Sequence, residues 1–264
     1  MRSSERVQAI IGQHGRVRSV CAALMVLTVG LAIGGCAHEV SQGADAAGAE
    51  AQTLVALDTL TAAIEQDMRY HGARNFMGQP VTGYLAPRCW LSRPAAAALV
   101  NVQRDAAKHG LRVKVFDCYR PQRAVDDFVR WGKDLGDQTT KAEYYPRVPK
   151  TELFSRGYIA ERSGHSRAST VDMGLVVVNA ALAGQVLKGP LVSGREVDMA
   201  TPFDLFDERS HTETQLVGTA ARHNRLWLRT LMERHGWRNL PEEWWHFTLR
   251  DEPFPDRYFD LPVQ

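Results

Sequence analysis

The stretch Ser163-Gly-His165-Ser-Arg-Ala-Ser-Thr-Val-Asp172 leads directly into an apolar run, Val171 to Val178, which reads VDMGLVVV. A short, continuous apolar run of this kind predicts a buried β-strand. Asp172 lies inside the run, and a buried carboxylate is costly unless it is paired with a cation or bound to a metal ion. The pattern therefore predicts a buried strand that carries a functional carboxylate.

A second segment, Glu243-Trp-Trp-His246, holds two further side chains suited to a metal site. A catalytic zinc ion has three protein ligands of the His, Asp or Glu kind and an open position for water. His165, Asp172 and His246 can supply those ligands, which predicts one Zn²⁺ per chain. Glu243 precedes His246 by three residues and can act as general base on a metal-activated water.

Taken singly, these residues also fit an ordinary structural role. A lone histidine is more often a surface or core residue than a ligand, and a Trp-Trp pair more often packs in a core. The chain has nine histidines, of which His211 is the strongest competitor as a ligand. From each segment alone, a metal site and simple packing both remain open.

The rest of the sequence predicts helices and strands in irregular order. Helices are predicted over Leu54–Met68, from Pro94 to about His109, from Pro121 to about Trp131, and over Thr212–His235 with an apolar stripe of Leu216, Ala220, Leu226 and Leu231. Strands are predicted over Arg112–Asp117, Val171–Val178 and Trp244–Leu249. This order predicts a single-domain α+β fold with helices packed around a mainly antiparallel sheet.

The N-terminal region predicts export. Two arginines precede an uncharged apolar run, Val20 to Ile33, which is short for a membrane-spanning helix and fits a signal peptide. The following Gly34-Gly35-Cys36 resembles a bacterial lipobox with Cys36 as the lipidated residue, and Ala37 after it favours an outer-membrane lipoprotein on the periplasmic side. An ordinary signal peptide or a short membrane anchor is the alternative. We expect a signal peptide over 1–35, a flexible tether over 36–52 and a folded domain over 53–264.

Composition excludes several classes of protein. Of 264 residues, 23% are charged and 44% are hydrophobic, and this balance excludes disordered, collagen-like and multi-span membrane chains. The net charge of +2 comes from arginines in residues 1–35, so the remainder is close to neutral. With no cluster of Lys or Arg, no nucleic acid is expected as a partner.

The spacing S-x-H-x6-D followed by E-W-W-H resembles the LAS-type zinc peptidases of family M15, and more finely the D-alanyl-D-alanine dipeptidases of the VanX type. Further segments share the likeness in the same order, from about residue 54 to the C-terminus. They include Tyr70–Gly78, Asp117–Pro121, Tyr144–Pro146, Phe203–His211 and Leu249–Pro262. The resemblance implies a LAS/hedgehog-like fold.

The resemblance also implies roles for individual residues. His165, Asp172 and His246 correspond to the zinc ligands, Glu243 to the catalytic base, and Arg120 to the cation that stabilises charge on the scissile carbonyl oxygen. Tyr70, Ser163 and Asp204 correspond to positions that hold the two charged ends of a small D,D-dipeptide. Gly164 departs from the Ser or Arg that the family often has before the first histidine, which makes substrate contacts there harder to transfer.

Three functions are consistent with this pattern. The first is hydrolysis of D-alanyl-D-alanine, the second is a D,D- or L,D-carboxypeptidase acting on peptidoglycan stem peptides, and the third is a non-catalytic, zinc-bearing cell-wall binding domain. The presence of Glu243 and Arg120 argues against the third, since binding alone needs neither residue. No protein partner is implied.

Cys89 and Cys118 remain once the N-terminal cysteines are set aside. In an exported protein an isolated pair favours a disulfide, with two unpaired buried thiols as the alternative. A bond between them would restrain the turn that carries Arg120.

Overall fold

A five-stranded sheet forms the centre of the structure, a computed structural model that describes residues 53–264. The strands are β1 (Leu54–Ala56), β2 (Glu65–Gln66), β3 (Trp90–Ser92), β4 (Leu111–Asp117), β5 (Thr170–Val177), β6 (Trp237–Asn239) and β7 (His246–Leu249). The helices are α1 (Arg93–Lys108), α2 (Gln122–Lys133), α3 (Lys141–Tyr144), α4 (Ala180–Ala183) and α5 (Thr219–Arg234). The predicted signal peptide, tether and Cys36 lie outside the described residues.

The sheet has the strand order β2-β4-β5-β7-β6, and a separate antiparallel pair joins β1 to β3. Only the β2–β4 pairing in the central sheet is parallel, among the strands of residues 53–264. The predicted α+β class with a mainly antiparallel sheet is therefore confirmed. Every residue of β5 is buried, which agrees with its continuous apolar sequence.

An extra residue interrupts the regular pairing of β4 with β5. Val115 pairs with Met173, but the register then shifts so that Asp117 pairs with Asp172, and Phe116 is left over. This arrangement is a β-bulge. The alternation of buried and exposed residues along β4 ends at the same point, since Val115, Phe116 and Asp117 are all buried.

Helix α1 covers one part of the sheet much as its sequence predicts. Its buried residues repeat at helical spacing and include Leu99, Val102 and Ala106. The helix ends before Gly110, whose φ of +67° lies in the left-handed region, and an added Cβ there would lie 2.7 Å from the carbonyl oxygen of Asn179. Both reasons require glycine at this position.

The helix predicted over Leu54–Met68 is wrong. This segment instead forms β1, a 3-10 turn over Leu57–Thr59, and β2. The apolar residues are mostly buried as the helical pattern requires, but Leu60 is 43% exposed. Pairing of β1 with β3 satisfies the backbone groups that a helix would have satisfied internally, so tertiary contacts outweigh the local pattern.

The long helix predicted over Thr212–His235 starts too early, because α5 begins only at Thr219. The predicted apolar stripe is wrong at Leu216, which is 56% exposed, and at Leu226, which is 37% exposed, whereas Leu231 is buried as predicted. The face that packs inward includes the polar side chains Asn224 and Arg225, which a hydropathy pattern assigns to solvent. The last strand is likewise shorter than predicted and begins at His246.

No helix among residues 53–264 is both long enough and apolar enough to cross a bilayer.

Candidate active site

Neighbouring strands bring the three predicted metal ligands together. Asp172 on β5 pairs directly with His246 on β7, and His165 lies on the 3-10 turn Gly164–Arg167 just before β5. One ligand atom from each residue lies within 4.8 Å of the others. Among the described residues this is the group of His, Cys, Asp and Glu with spacing suited to a metal, and His211 is not part of it.

Hydrogen bonding fixes which nitrogen of His165 faces this group. Nδ1 lies 2.7 Å from the carbonyl oxygen of Cys118, which can only accept, so Nδ1 carries the proton. The other ring nitrogen, Nε2, lies 3.3 Å from Oδ2 of Asp172 and 3.4 Å from Nδ1 of His246. A backbone carbonyl that orients a histidine in this way is typical of the surroundings of a metal ligand.

Asp172 provides the clearest test of whether a metal fits. Its Oδ1 is buried and has no hydrogen-bond donor among the described residues, although Nδ1 of His246 lies 3.0 Å away. Burial raises the pKa of Asp172, but the imidazoles of His165 and His246 outweigh this effect and hold it far below its usual range. A buried carboxylate whose ionised form is favoured and which faces two imidazole nitrogens fits a divalent cation.

The carboxylates around His246 also favour a positive charge at this position. Burial lowers its pKa, but the carboxylates of Asp172 and Glu243 outweigh burial and raise the pKa to about 9. In the protein without metal, a proton therefore supplies the positive charge that a metal ion would otherwise supply.

Glu243 lies beside the ligand group on the turn before β7. Its Oε2 is 3.4 Å from Nδ1 of His246, and its side chain is 14% exposed. Asn239 of β6 donates hydrogen bonds of 3.0 Å to the carbonyl oxygens of both Glu243 and His246, which holds the turn in place. The carboxylate of Glu243 thus lies close to the candidate metal position and also lines the cavity.

Arg120 points its guanidinium group toward the same position. Nε donates to Oδ2 of Asp117 at 2.9 Å, and Nη2 lies 3.7 Å from Oδ2 of Asp172. The guanidinium also stacks over the rings of Tyr70 and Phe128, 5.1 and 4.8 Å from their centroids. These contacts hold a buried cation in one orientation.

The sequence predicts no role for Asp117, yet its carboxylate contacts both Arg120 and His165. It accepts a hydrogen bond of 2.7 Å from the hydroxyl of Tyr84, and its Oδ2 lies 3.5 Å from Nδ1 of His165 as well as bonding Arg120. Burial raises the pKa of this carboxyl, and the charge of Arg120 opposes the rise. The available signal was its position at the end of a predicted strand, three residues before Arg120.

Tyr70 and Asp204 form an acidic pair at the cavity. The Tyr70 hydroxyl donates to Oδ2 of Asp204 at 2.9 Å, and both side chains are buried. Burial, followed by the negative charge of Asp172, raises the pKa of Asp204 well above its usual value. Ser163 lies at the start of the His165 turn, where its Oγ accepts the backbone N–H of His165 at 3.2 Å.

A cavity of about 190 Å³ contacts all of these predicted residues. It is lined by Tyr70, Arg120, Ser163, His165, Asp172, Asp204, Glu243 and His246, together with Arg162 and the loop Gly157–Ala160. The structure therefore brings all eight predicted site residues to one small space, which holds the carboxylates of Asp172, Asp204 and Glu243.

Cys89 and Cys118 are joined by a disulfide in the structure. Cys118 directly follows β4 and supplies the carbonyl oxygen that orients His165. The bond therefore connects the segment before β3 to the turn that carries Arg120.

Comparison with known proteins agrees with this geometry. The family model described as D-ala-D-ala dipeptidase, peptidase family M15, matches residues 50–264. A D-alanyl-D-alanine dipeptidase of Streptomyces coelicolor is 41% identical, covering 78% of this chain and 96% of its own length. Dipeptidases of the same name from Enterococcus faecalis and Enterococcus faecium are 39% and 36% identical, over 78% and 79% of this chain and 96% of their own lengths. This chain belongs to the M15 family of D-Ala-D-Ala dipeptidases.

Proposed function

We propose that this protein hydrolyses D-alanyl-D-alanine to two molecules of D-alanine with one zinc ion held by His165, Asp172 and His246. The single observation that supports this most directly is the convergence of these three side chains with Glu243 and Arg120 on one cavity. When bound, zinc supplies a Lewis acid that lowers the pKa of the attacking water toward about 7.

Glu243 is the general base in this proposal. Its carboxylate borders the cavity next to His246, where it can take a proton from the attacking water and pass it to the departing amine nitrogen. Glu243 is therefore the base and not a fourth ligand, because a carboxylate bound to the metal could not also accept and pass on this proton.

Arg120 stabilises the negative charge that develops on the scissile carbonyl oxygen. Its guanidinium is already fixed by Asp117 and by two aromatic rings, so little reorientation is needed during the reaction. Such pre-oriented charge favours the transition state over the ground state.

The acidic pair of Tyr70 and Asp204 receives the substrate ammonium group. Burial raises the pKa of Asp204, and an ammonium group bound beside it favours its ionised form. The small volume of the cavity, about 190 Å³, favours a dipeptide over a longer stem peptide.

Release of free amine from D-Ala-D-Ala, L-Ala-L-Ala and a stem pentapeptide tests this proposal. We expect cleavage of D-Ala-D-Ala that a chelator abolishes and zinc restores. Preferential cleavage of the pentapeptide would instead support a carboxypeptidase, and no chelator-sensitive cleavage of any substrate would contradict an enzymatic role.

We further propose that the protein is exported and held at the periplasmic side of the outer membrane through a lipid on Cys36. The apolar run before Gly34-Gly35-Cys36 supports export, and a disulfide in the folded domain suits an oxidising compartment. A labelled fatty acid should be incorporated into the unsubstituted protein and not into a Cys36→Ser variant. No incorporation into the unsubstituted protein would exclude a lipid on Cys36.

A further inference from the structure

The cavity is lined by two arginines, Arg120 and Arg162, and among the described residues only Arg120 is paired with carboxylates. Arg120 bonds Asp117 and lies beside Asp172. Arg162 makes no ion pair among the described residues, and its guanidinium stacks over the ring of Tyr258 at 5.1 Å. An arginine that borders a substrate cavity without a counter-charge is free to bind an anionic group.

The neighbouring Arg167 shows the contrast. It stacks over the same Tyr258 ring, but it is paired with both carboxylate oxygens of Glu252 at 2.7 and 2.8 Å. Both arginines therefore stack on Tyr258, but only the charge of Arg167 is balanced by a carboxylate.

Gly164 and Ser163, which follow Arg162 in the sequence, offer an anion no charged side chain. An added Cβ on Gly164 would lie 2.8 Å from Oγ1 of Thr170, a buried side chain whose hydroxyl already contacts Thr248. A side chain is therefore disfavoured at Gly164. Ser163 accepts the backbone N–H of His165 with its Oγ, so its hydroxyl can still donate a hydrogen bond to an anion, but it carries no charge.

We propose that Arg162 binds the terminal carboxylate of the substrate and selects for peptides in which this carboxylate is free. This inference rests on the proposed dipeptidase function, in which the substrate carries an ammonium group and a carboxylate. Asp204 with Tyr70 provides the acidic end of the cavity, and Arg162 provides a cationic group suited to the carboxylate. The planar guanidinium can hold a carboxylate by two parallel hydrogen bonds.

Kinetics of Arg162→Gln in the full zinc-loaded protein test the assignment. Arg162 is exposed, so the substitution should not disturb folding. We expect KM for D-Ala-D-Ala to rise about tenfold, the size of one charged hydrogen bond, while kcat changes less than about twofold. Arg162→Lys, which keeps the charge but not the planar group, should show a smaller rise.

The matched ligand is D-Ala-D-alaninamide, which lacks the negative charge, used as a substrate or as a competitive inhibitor. Its KM or inhibition constant should be the same for Arg162→Gln and the unsubstituted protein. Arg257→Gln serves as the control variant, since Arg257 also stacks on an aromatic ring, that of Phe259, but does not line the cavity. This control variant should leave the KM or inhibition constant unchanged for both the acid and the amide.

Two outcomes would overturn the assignment while leaving the dipeptidase function intact. These are an unchanged KM for D-Ala-D-Ala in Arg162→Gln, and an equal loss of affinity for the acid and the amide. If the unsubstituted protein fails to cleave D-Ala-D-Ala at all, the proposed function itself is wrong, and the role of Arg162 is rejected with it.

Discussion

The backbone carbonyl of Cys118 accepts the Nδ1–H of His165 at 2.7 Å, and the side chain of the same Cys118 is bonded to Cys89. A single residue thus links the covalent crosslink to the orientation of a candidate metal ligand. Stability and metal binding are therefore expected to be coupled through this residue.

Replacing both cysteines by alanine should lower the free energy of unfolding by about 3–4 kcal/mol, as expected for closure of a loop of this length. The two cysteines are 29 residues apart. Denaturant unfolding with and without a reductant measures the effect. Reductant should destabilise the unsubstituted protein and leave the double variant unchanged, and equal responses from both would mean that the bond does not form in solution.

Glu243→Gln should lower kcat by about 10²–10⁴-fold, because the amide cannot accept the proton of the attacking water. Metal content should stay at that of the unsubstituted protein, since the glutamate is not a ligand. Glu242→Gln, an exposed glutamate one residue earlier, is the matched control and should keep normal activity. Loss of metal from Glu243→Gln would show that Glu243 is a ligand.

Metal binding should release protons near neutral pH. In the protein without metal, the pKa of His246 is raised from 6.5 to about 9. Its charged contact with Asp172 therefore stabilises the metal-free fold fully below about pH 6.5, and this contribution is lost as the pH rises through about 9. A metal needs the neutral imidazole, so at pH 7 we expect about one proton to be released from this residue.

Calorimetry in buffers of different ionisation enthalpy measures this release. Zinc affinity should increase with pH up to about 9 and then level off. Binding that releases no proton at pH 7 would mean that His246 is already neutral in the metal-free protein.

Asp204→Asn should weaken binding of D-Ala-D-Ala by about tenfold or more, because an amide cannot become negative when the ammonium group arrives. Propionyl-D-alanine lacks that ammonium group and should bind both proteins equally. Since an uncharged Asp204 is nearly the same shape as asparagine, equal binding of D-Ala-D-Ala would show that the carboxyl stays protonated in the complex.

Arg225→Met should lower the free energy of unfolding by about 3 kcal/mol or more, because it leaves several buried acceptors without a donor. Arg225 is fully buried and donates to the carbonyl oxygens of Met199, Arg209 and His211. Arg234→Met, on the exposed part of the same helix, should change stability by less than about 0.5 kcal/mol. Similar losses in both variants would contradict this account.

Arg225 also shows why part of the fold could not be predicted. Arg225 can lie on the buried face of α5 only because carbonyl oxygens of the loop Met199–His211 accept hydrogen bonds from its guanidinium. The sequence of the helix alone carries no information about that loop. Leu54–Ala56 fails for a related reason, since its partner strand lies more than 30 residues away at Trp90–Ser92. In both segments, contacts with residues distant in sequence determine the structure.

The site was more predictable than the fold around it. His165 and Asp172 lie close together in sequence, and the position of Asp172 inside an apolar run already indicates a buried carboxylate that needs a positive charge beside it. Asp117 could not be assigned in the same way, because its role depends on the register between β4 and β5. Arg162 likewise needs the three-dimensional layout, since its significance is the absence of a counter-charge among the described residues.

The bulge at Phe116 has a consequence for anyone wishing to transplant this site onto another scaffold. With regular pairing, Phe116 rather than Asp117 would be the neighbour of Asp172. Copying the ligands and the base onto an uninterrupted sheet would therefore leave Arg120 without its anchoring carboxylate. A transplanted site must therefore include the bulge at Phe116, even though Phe116 itself binds no metal or substrate.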